Sequence, residues 1–283
     1  MKSLLTIKYL FILILFGFSE IIQAQVLEPE VERTTIEISN LSDNYNNGYG
    51  INVVMNNFGF GLGGEYRRVI GPQMEFMTSL RITGLRDASE QTFTDFFFGQ
   101  QVIPNKYQRA LGFPLMIGLR QRIFPNTIQD NYRFFVSASM GPAVSFSYPY
   151  FNDPENYGYR FTGNELILLD GQLFRMQSDR VNDVFSGLDQ GQWHWGGAGE
   201  FKIALDIGSN FSKLGSIEFG YFFYYFPEAI QMMMPNQPVF RKDVPRNDVL
   251  LVDDQGEIEF DSFFEPQSFF GTPQITFTFG WLR

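Results

Sequence analysis

Apolar and polar residues alternate along most of the chain from residue 48 onward, in runs long enough to draw strands of ten residues and more. Between residues 132 and 148 one row reads Tyr132, Phe134, Val136, Ala138, Met140, Pro142, Val144, Phe146 and Tyr148. The other row reads Arg133, Phe135, Ser137, Ser139, Gly141, Ala143, Ser145 and Ser147. A period of two marks extended backbone, because successive side chains point to opposite faces. Residues 192–207 repeat the pattern, with Trp193, Trp195, Phe201, Ile203, Leu205 and Ile207 opposite His194, Ala198, Glu200, Lys202 and Asp206. A soluble sheet buries its apolar row in a core, whereas a membrane barrel turns that row to lipid and keeps small and polar groups inside. Two details favour lipid: aromatic residues bracket an aliphatic middle, as two membrane interfaces require, and the opposite row carries charges of both signs.

Four more stretches behave alike. Residues 73–83 turn Met74, Phe76, Leu80 and Ile82 outward against Glu75, Ser79 and Arg81, and residues 108–123 turn Leu111, Phe113, Leu115, Ile117 and Leu119 outward against Gly112, Pro114, Gly118, Arg120 and Arg122. Residues 214–226 place Ile217, Phe219, Tyr221, Phe223 and Tyr225 outside, with Ser216, Glu218 and Gly220 inside. Residues 268–282 place Ile275, Phe277, Phe279 and Trp281 outside, with Gln274, Thr276 and Thr278 inside. Residues 48–70 supply a last pair, one outward row being Tyr49, Ile51, Val53 and Met55 and the other Phe58, Phe60, Leu62 and Tyr66, opposite Gly61, Gly63, Glu65 and Arg67. Asn56-Asn57 is the expected turn, since Asn tolerates the left-handed backbone of a tight hairpin. Pro114 has no N–H for a ladder, so a bulge or local bend is expected there. Residues 34–39 could add a strand, but an odd total is unusual for such a barrel.

The count is therefore eight, and the connections test it. Links after the second, fourth and sixth strands are short, while those at residues 86–107, 149–191 and 227–267 are long; only the first outer link is short. Short periplasmic turns alternating with long outer loops are the habit of an eight-stranded antiparallel up-and-down transmembrane β-barrel with long extracellular loops.

Composition agrees. The chain has 33 Phe among 283 residues, no Cys and a net charge of -10. Without cysteine there is no disulfide framework, no thiolate metal site and no cysteine nucleophile. The acidic balance argues against nucleic acid as a partner. Residues 1–24 read as a signal peptide, with Lys2 and Lys8, an apolar run too short to span a bilayer as a helix, and Ile22-Gln23-Ala24 at its end. Residues 25–47 then form a periplasmic segment and 48–283 the barrel domain.

The run from Leu111 through Gly112, Phe113, Pro114, Leu115, Met116, Ile117, Gly118 and Leu119 to Arg120, followed by the strand containing Met140-Gly141-Pro142, resembles the outer-membrane protein β-barrel domain family of Gram-negative bacteria. The end of the chain, Phe277-Thr278-Phe279-Gly280-Trp281-Leu282-Arg283, is similar to the aromatic C-terminal strand that barrel-assembly machinery recognises, although it closes on Arg283. The resemblance implies porin-like architecture, an outer-membrane location, and lipid, lipopolysaccharide and the assembly machinery as partners. It fixes no activity, because one such fold hosts many.

Three functional readings follow. The inward positions collect Glu65, Glu75, Glu200, Asp206 and Glu218 with Arg67, Arg81, Arg120, Arg122, Arg133 and Lys202. In a barrel whose side chains just fill the interior, this is expected to be a plug of mutually satisfied ion pairs; a narrow pore is the alternative. His194, the one histidine, sits on the inner row near the outer rim, where small barrels acting on lipid A or peptides carry theirs. It is followed by Trp195-Gly196, so the His-x-Ser arrangement of the deacylases is absent, and a lone rim histidine is more often structural. The third feature is charge: the links 149–191 and 227–267 carry -4 and -6. Within them, residues 165–176 and 249–260 read as hairpins turning at Asp170-Gly171 and at residues 253–256. Asp253-Asp254-Gln255-Gly256-Glu257 could meet Ca²⁺ but lacks EF-hand spacing, so turn acids are the safer reading. The expectation is a non-enzymatic surface barrel whose acidic hairpins bind an extracellular or envelope partner or stabilise the envelope. No residue is assigned as catalytic, cofactor-binding or metal-ligating.

Overall fold

The structure is a computed structural model that describes residues 39–94, 101–169, 171–208 and 211–283. The expected signal peptide, and residues 34–39, which could add a strand, lie outside the described residues, apart from Ser39. Eight long strands form one closed barrel: β1 (Asn47–Asn56), β2 (Gly59–Gly71), β3 (Met74–Leu85), β4 (Gln108–Ile123), β5 (Tyr132–Pro149), β6 (Gln192–Ile207), β7 (Lys213–Ile230) and β8 (Gln267–Leu282). Each pairs antiparallel with its neighbours in sequence, and β1 closes on β8 from Gly48/Leu282 to Asn56/Gln274.

The faces follow the predicted parity. On β6, Trp193, Trp195, Phe201, Ile203 and Ile207 are exposed, while Ala198, Glu200, Lys202, Ala204 and Asp206 are buried. Leu111, Leu115, Ile117 and Leu119 are exposed on β4, as are Ile51 and Met55 on β1 and Phe219 and Tyr221 on β7. Near the short turns Tyr49 stands opposite both Trp281 and Tyr66. Toward the long loops Trp193 packs on Phe146 with ring centroids 4.8 Å apart and on Phe113 at 6.0 Å. Two aromatic girdles thus bound an aliphatic belt, the arrangement that matches the two interfaces of a bilayer.

Two local expectations are corrected, and Pro114 disturbs its ladder without a bulge. The β1–β2 turn lies at Asn57-Phe58, and its left-handed backbone belongs to Gly59 (φ 115) and not to an Asn. Phe58, expected outside, packs against the apolar cluster within the upper barrel because it belongs to the turn and escapes strand parity. No bulge occurs at Pro114. The β3–β4 ladder stops at Leu80/Leu115 and resumes at Thr83/Gly112 in the same register, so the missing N–H costs pairs locally without adding a residue. Register shifts occur instead between Val69 and Gly71 and between Tyr225 and Ile230.

Candidate functional site

The barrel interior is built in three storeys. The middle one is charged, and all eleven inward ionisable residues predicted from parity are buried. Arg81 grips Glu200 with two N–H bonds, at 2.6 and 2.9 Å. Glu200 also accepts from Ser139 (3.0 Å) and Gln274 (2.9 Å) and lies 3.0 Å from the Lys202 ammonium. Lys202 continues to Glu218 at 2.6 Å, and Glu218 takes a 3.0 Å bond from Arg67. Arg67 also meets Glu65, which accepts from Asn52 at 3.0 Å. Arg120 bridges Glu75 (2.7 Å) and Asp206 (2.5 Å), with its guanidinium carbon 3.4 Å from the centre of the Phe135 ring. Arg122 and Arg133 leave this network for the lower end, bonding Asp130 at 2.6 Å and the Asp130 carbonyl at 2.6 Å respectively.

Apolar layers close the network above and below. Below, Leu41, Tyr45, Phe135, Ala204, Leu214 and Leu282 form a cluster to which the short segment before β1 contributes its first two members. Leu41 is held by its N–H on the Pro72 carbonyl at 2.7 Å, and Tyr45 donates its hydroxyl to Glu75 at 2.8 Å. Burial, followed by the nearby Glu75 and Asp206 carboxylates, pushes the Tyr45 hydroxyl well above its ordinary pKa. Above, Phe222, Tyr224, Phe226 and Phe270 pack with Leu85, Met116, Ile230 and Met232. The Tyr224 hydroxyl lies 2.6 Å from that of Thr83. This upper storey escaped the sequence reading of β7, although the aromatic run from Phe222 to Phe226, greasy on both faces, was the available signal.

A closed wall that is apolar outside and charged inside fits lipid and not water. The chain folds as a closed eight-stranded β-barrel whose outer face suits a membrane. No family model matches the chain, and no curated protein does. Among solved structures it is similar to Ail, the attachment invasion locus protein of Yersinia pestis, with 7% identity, a TM-score of 0.31 and coverage of 83% of this chain and 93% of that one. A second is CarO of Acinetobacter baumannii, with 11% identity, a TM-score of 0.26 and coverage of 82% and 97%. The fold itself stands on the pairing of the barrel's own strands.

The long loops above the barrel are joined to one another. The predicted hairpin at residues 165–176 pairs Leu166–Leu169 with Gln172–Arg175, through a left-handed Gly171 (φ 78). The second is thinner. Val252 meets Ile258 in a single bridge, while Val249–Leu250 runs parallel to Leu166 and Ile167 of the other loop. Phe260–Ser262 pairs with Asn236–Pro238, Tyr107 donates its N–H to the Met232 carbonyl at 2.9 Å, and Tyr150 donates its own to the Tyr107 carbonyl at 2.8 Å. Tyr150, Phe151 and Met234, with Tyr107 and Tyr159 against them, give this head a small apolar core. Burial beside Glu165 pushes the Tyr159 hydroxyl up to about 12. In the acidic turn, Asp253 Oδ1 accepts the N–H groups of Gln255 (2.8 Å) and Glu257 (2.9 Å), so this carboxylate builds the turn.

His194 is half-buried at the rim, and its Nε2 lies 2.9 Å from Ser147 Oγ on the adjoining strand. Sequence reading placed both on inner rows without pairing them, because the pairing comes from the β5–β6 register, in which Ser145 faces His194 and Ser147 faces Gln192. Ser147 is buried, and among the described residues no carboxylate hydrogen-bonds His194.

Proposed function

We propose that this protein is a sealed, non-conducting and non-enzymatic barrel that holds an ordered acidic head outside the cell for recognition of a protein partner or for envelope stabilisation. The observation that carries the reading is the joining of three loops into one hydrogen-bonded body above a filled interior. Loops bear function on a rigid scaffold, and ordering them in advance lowers the entropy lost on binding. Lipid and lipopolysaccharide surround the barrel wall, and the C-terminal aromatic strand is the segment that assembly machinery would read.

The test is genetic and biochemical together. Deleting residues 166–177 or 249–260 is expected to reproduce whatever envelope phenotype loss of the gene gives, while the barrel keeps its folded gel mobility. Loop deletions with full wild-type behaviour would sink the reading. The Ser147–His194 contact favours a second reading, a rim enzyme acting on lipid A or peptides. That reading requires a change in lipid-A mass or a peptide cleavage that disappears in His194→Ala, because nucleophile and base must act together.

A further inference from the structure

The barrel wall is notched on one side. β1 pairs with β8 only up to Asn56/Gln274, whereas β7 continues along β8 to Ile230/Gln267. Above the β1–β2 turn, residues 267–273 of β8 therefore have a strand on one side alone among the described residues. A cavity of about 730 Å³ occupies the gap, walled by Asn57, Phe58, Arg86, Glu90, Phe269 and Phe270. It shares Asn56 and Asn57 with a groove of about 370 Å³ on the outer surface, lined by Met55, Phe219, Pro273 and Ile275.

Depth decides what can enter. Tyr49 lies in the lower girdle, and from there to Asn57 a strand tilted by about 40° climbs roughly 20 Å, short of the ~25 Å apolar band of such barrels. The notch thus opens within the outer leaflet and not above it. Its outer lip, Met55, Phe219 and Ile275, belongs to the lipid-facing surface, and its inner end, Phe58 and Phe270, belongs to the upper apolar storey. One side is polar: Arg86 Nε lies 3.5 Å from Glu90 Oε1, which Lys106 also holds at 2.6 Å, while Glu90 Oε2 is buried without a hydrogen-bond partner.

We propose that this notch is a lateral binding site for the acyl chain of an outer-leaflet lipid, which leaves the bilayer between Met55 and Phe219 and ends against Phe58 and Phe270 in the barrel mouth. The notch is polar along Asn57, Arg86, Asp87 and Glu90 and apolar along Phe58, Phe269 and Phe270. A chain lying on this apolar side, continuous with the lipid surface, loses little, and an unpaired strand edge at that depth needs cover from water and from other edges.

Because the chain has no cysteine, a single introduced thiol can be labelled uniquely. Phe58→Cys, Leu115→Cys and Ala143→Cys are each labelled with bimane and refolded into phosphatidylcholine vesicles with or without brominated acyl chains. Leu115 reports the lipid face and Ala143 the inside of the opposite wall. The proposal expects quenching at Phe58→Cys of at least half that at Leu115→Cys, falling to the level of Ala143→Cys when Ala88→Trp fills the cavity from its exposed loop. Retained heat-dependent gel mobility shows that each variant folds. Quenching at Phe58→Cys no greater than at Ala143→Cys overturns the proposal, as does quenching that Ala88→Trp leaves unchanged. A label indifferent to brominated chains but shifted by a tenfold rise in protein-to-lipid ratio also overturns it, and gives the edge to a second copy of the chain.

Discussion

Replacing Glu200 by Leu removes the acceptor that organises the middle storey. Arg81 loses both of its bonds, at 2.6 and 2.9 Å, and is left as a buried cation whose Nε already lacks a partner. Ser139 and Gln274 lose their acceptor, whereas Lys202 keeps Glu218 at 2.6 Å. Breaking a buried pair from one side costs about 3–5 kcal/mol, so Glu200→Leu is expected in that range. Arg81→Met should cost less, about 2–3 kcal/mol, because Glu200 keeps the Lys202 ammonium and two neutral donors. The double replacement strands neither member of the pair and should cost at least ~2 kcal/mol less than the sum of the two singles. Urea titrations of the barrel in short-chain lipid vesicles, followed through the lipid-facing Trp193 and Trp195, measure all three. Additive costs, or a Glu200→Leu cost below about 1 kcal/mol, would show instead a wet interior whose charges stay solvated.

Ile117→Arg should cost about 2–4 kcal/mol in the same titrations, since the side chain faces lipid near mid-depth, while Ser79→Ala, which removes a buried hydroxyl without a partner, should stay within about 1 kcal/mol. The folded barrel should migrate differently on SDS gels before and after boiling, because a closed ladder resists detergent until heated; one mobility for both would count against closure. Asp183 accepts the N–H groups of Phe185 and Ser186 at 2.8 and 2.7 Å, and these bonds hold its carboxyl below the usual range. A depressed pKa means that the turn is supported above about pH 4 and loses that support as pH falls through the folded value. Hydrogen exchange at those two amides should therefore gain protection with rising pH, once corrected for the intrinsic rate; protection flat across that range would contradict it.

Much of the barrel was legible because a wall with lipid on one side and charge on the other forces strict alternation. β4 and β6 run over the residues that the pattern marked, and β5 ends one residue later than expected. Parity alone failed where backbone geometry intervened. Gly118 sits on the inner row and looks tolerant, yet a side chain there would collide with Ser139 and the Ala138 carbonyl of the adjoining strand. Phe58 escaped because a turn residue has no fixed face. The head was half legible: the hairpin at residues 165–176 is a local pattern, but the parallel contact of Val249 and Leu250 with Leu166 and Ile167 joins distant loops and leaves no periodic trace. The same holds for Ser147 and His194, whose meeting depends on register between two strands separated by a long loop.

On the proposed reading, an ion-paired layer between two apolar storeys seals this barrel. Single-channel recording in planar lipid bilayers tests it most directly. Insertion of the purified, heat-shifting protein should leave the current at baseline, and Glu200→Gln should not change that. Discrete, steady conductance steps whose ion selectivity changes with Glu200→Gln would instead mean that ions pass through the charged storey and that the barrel is open.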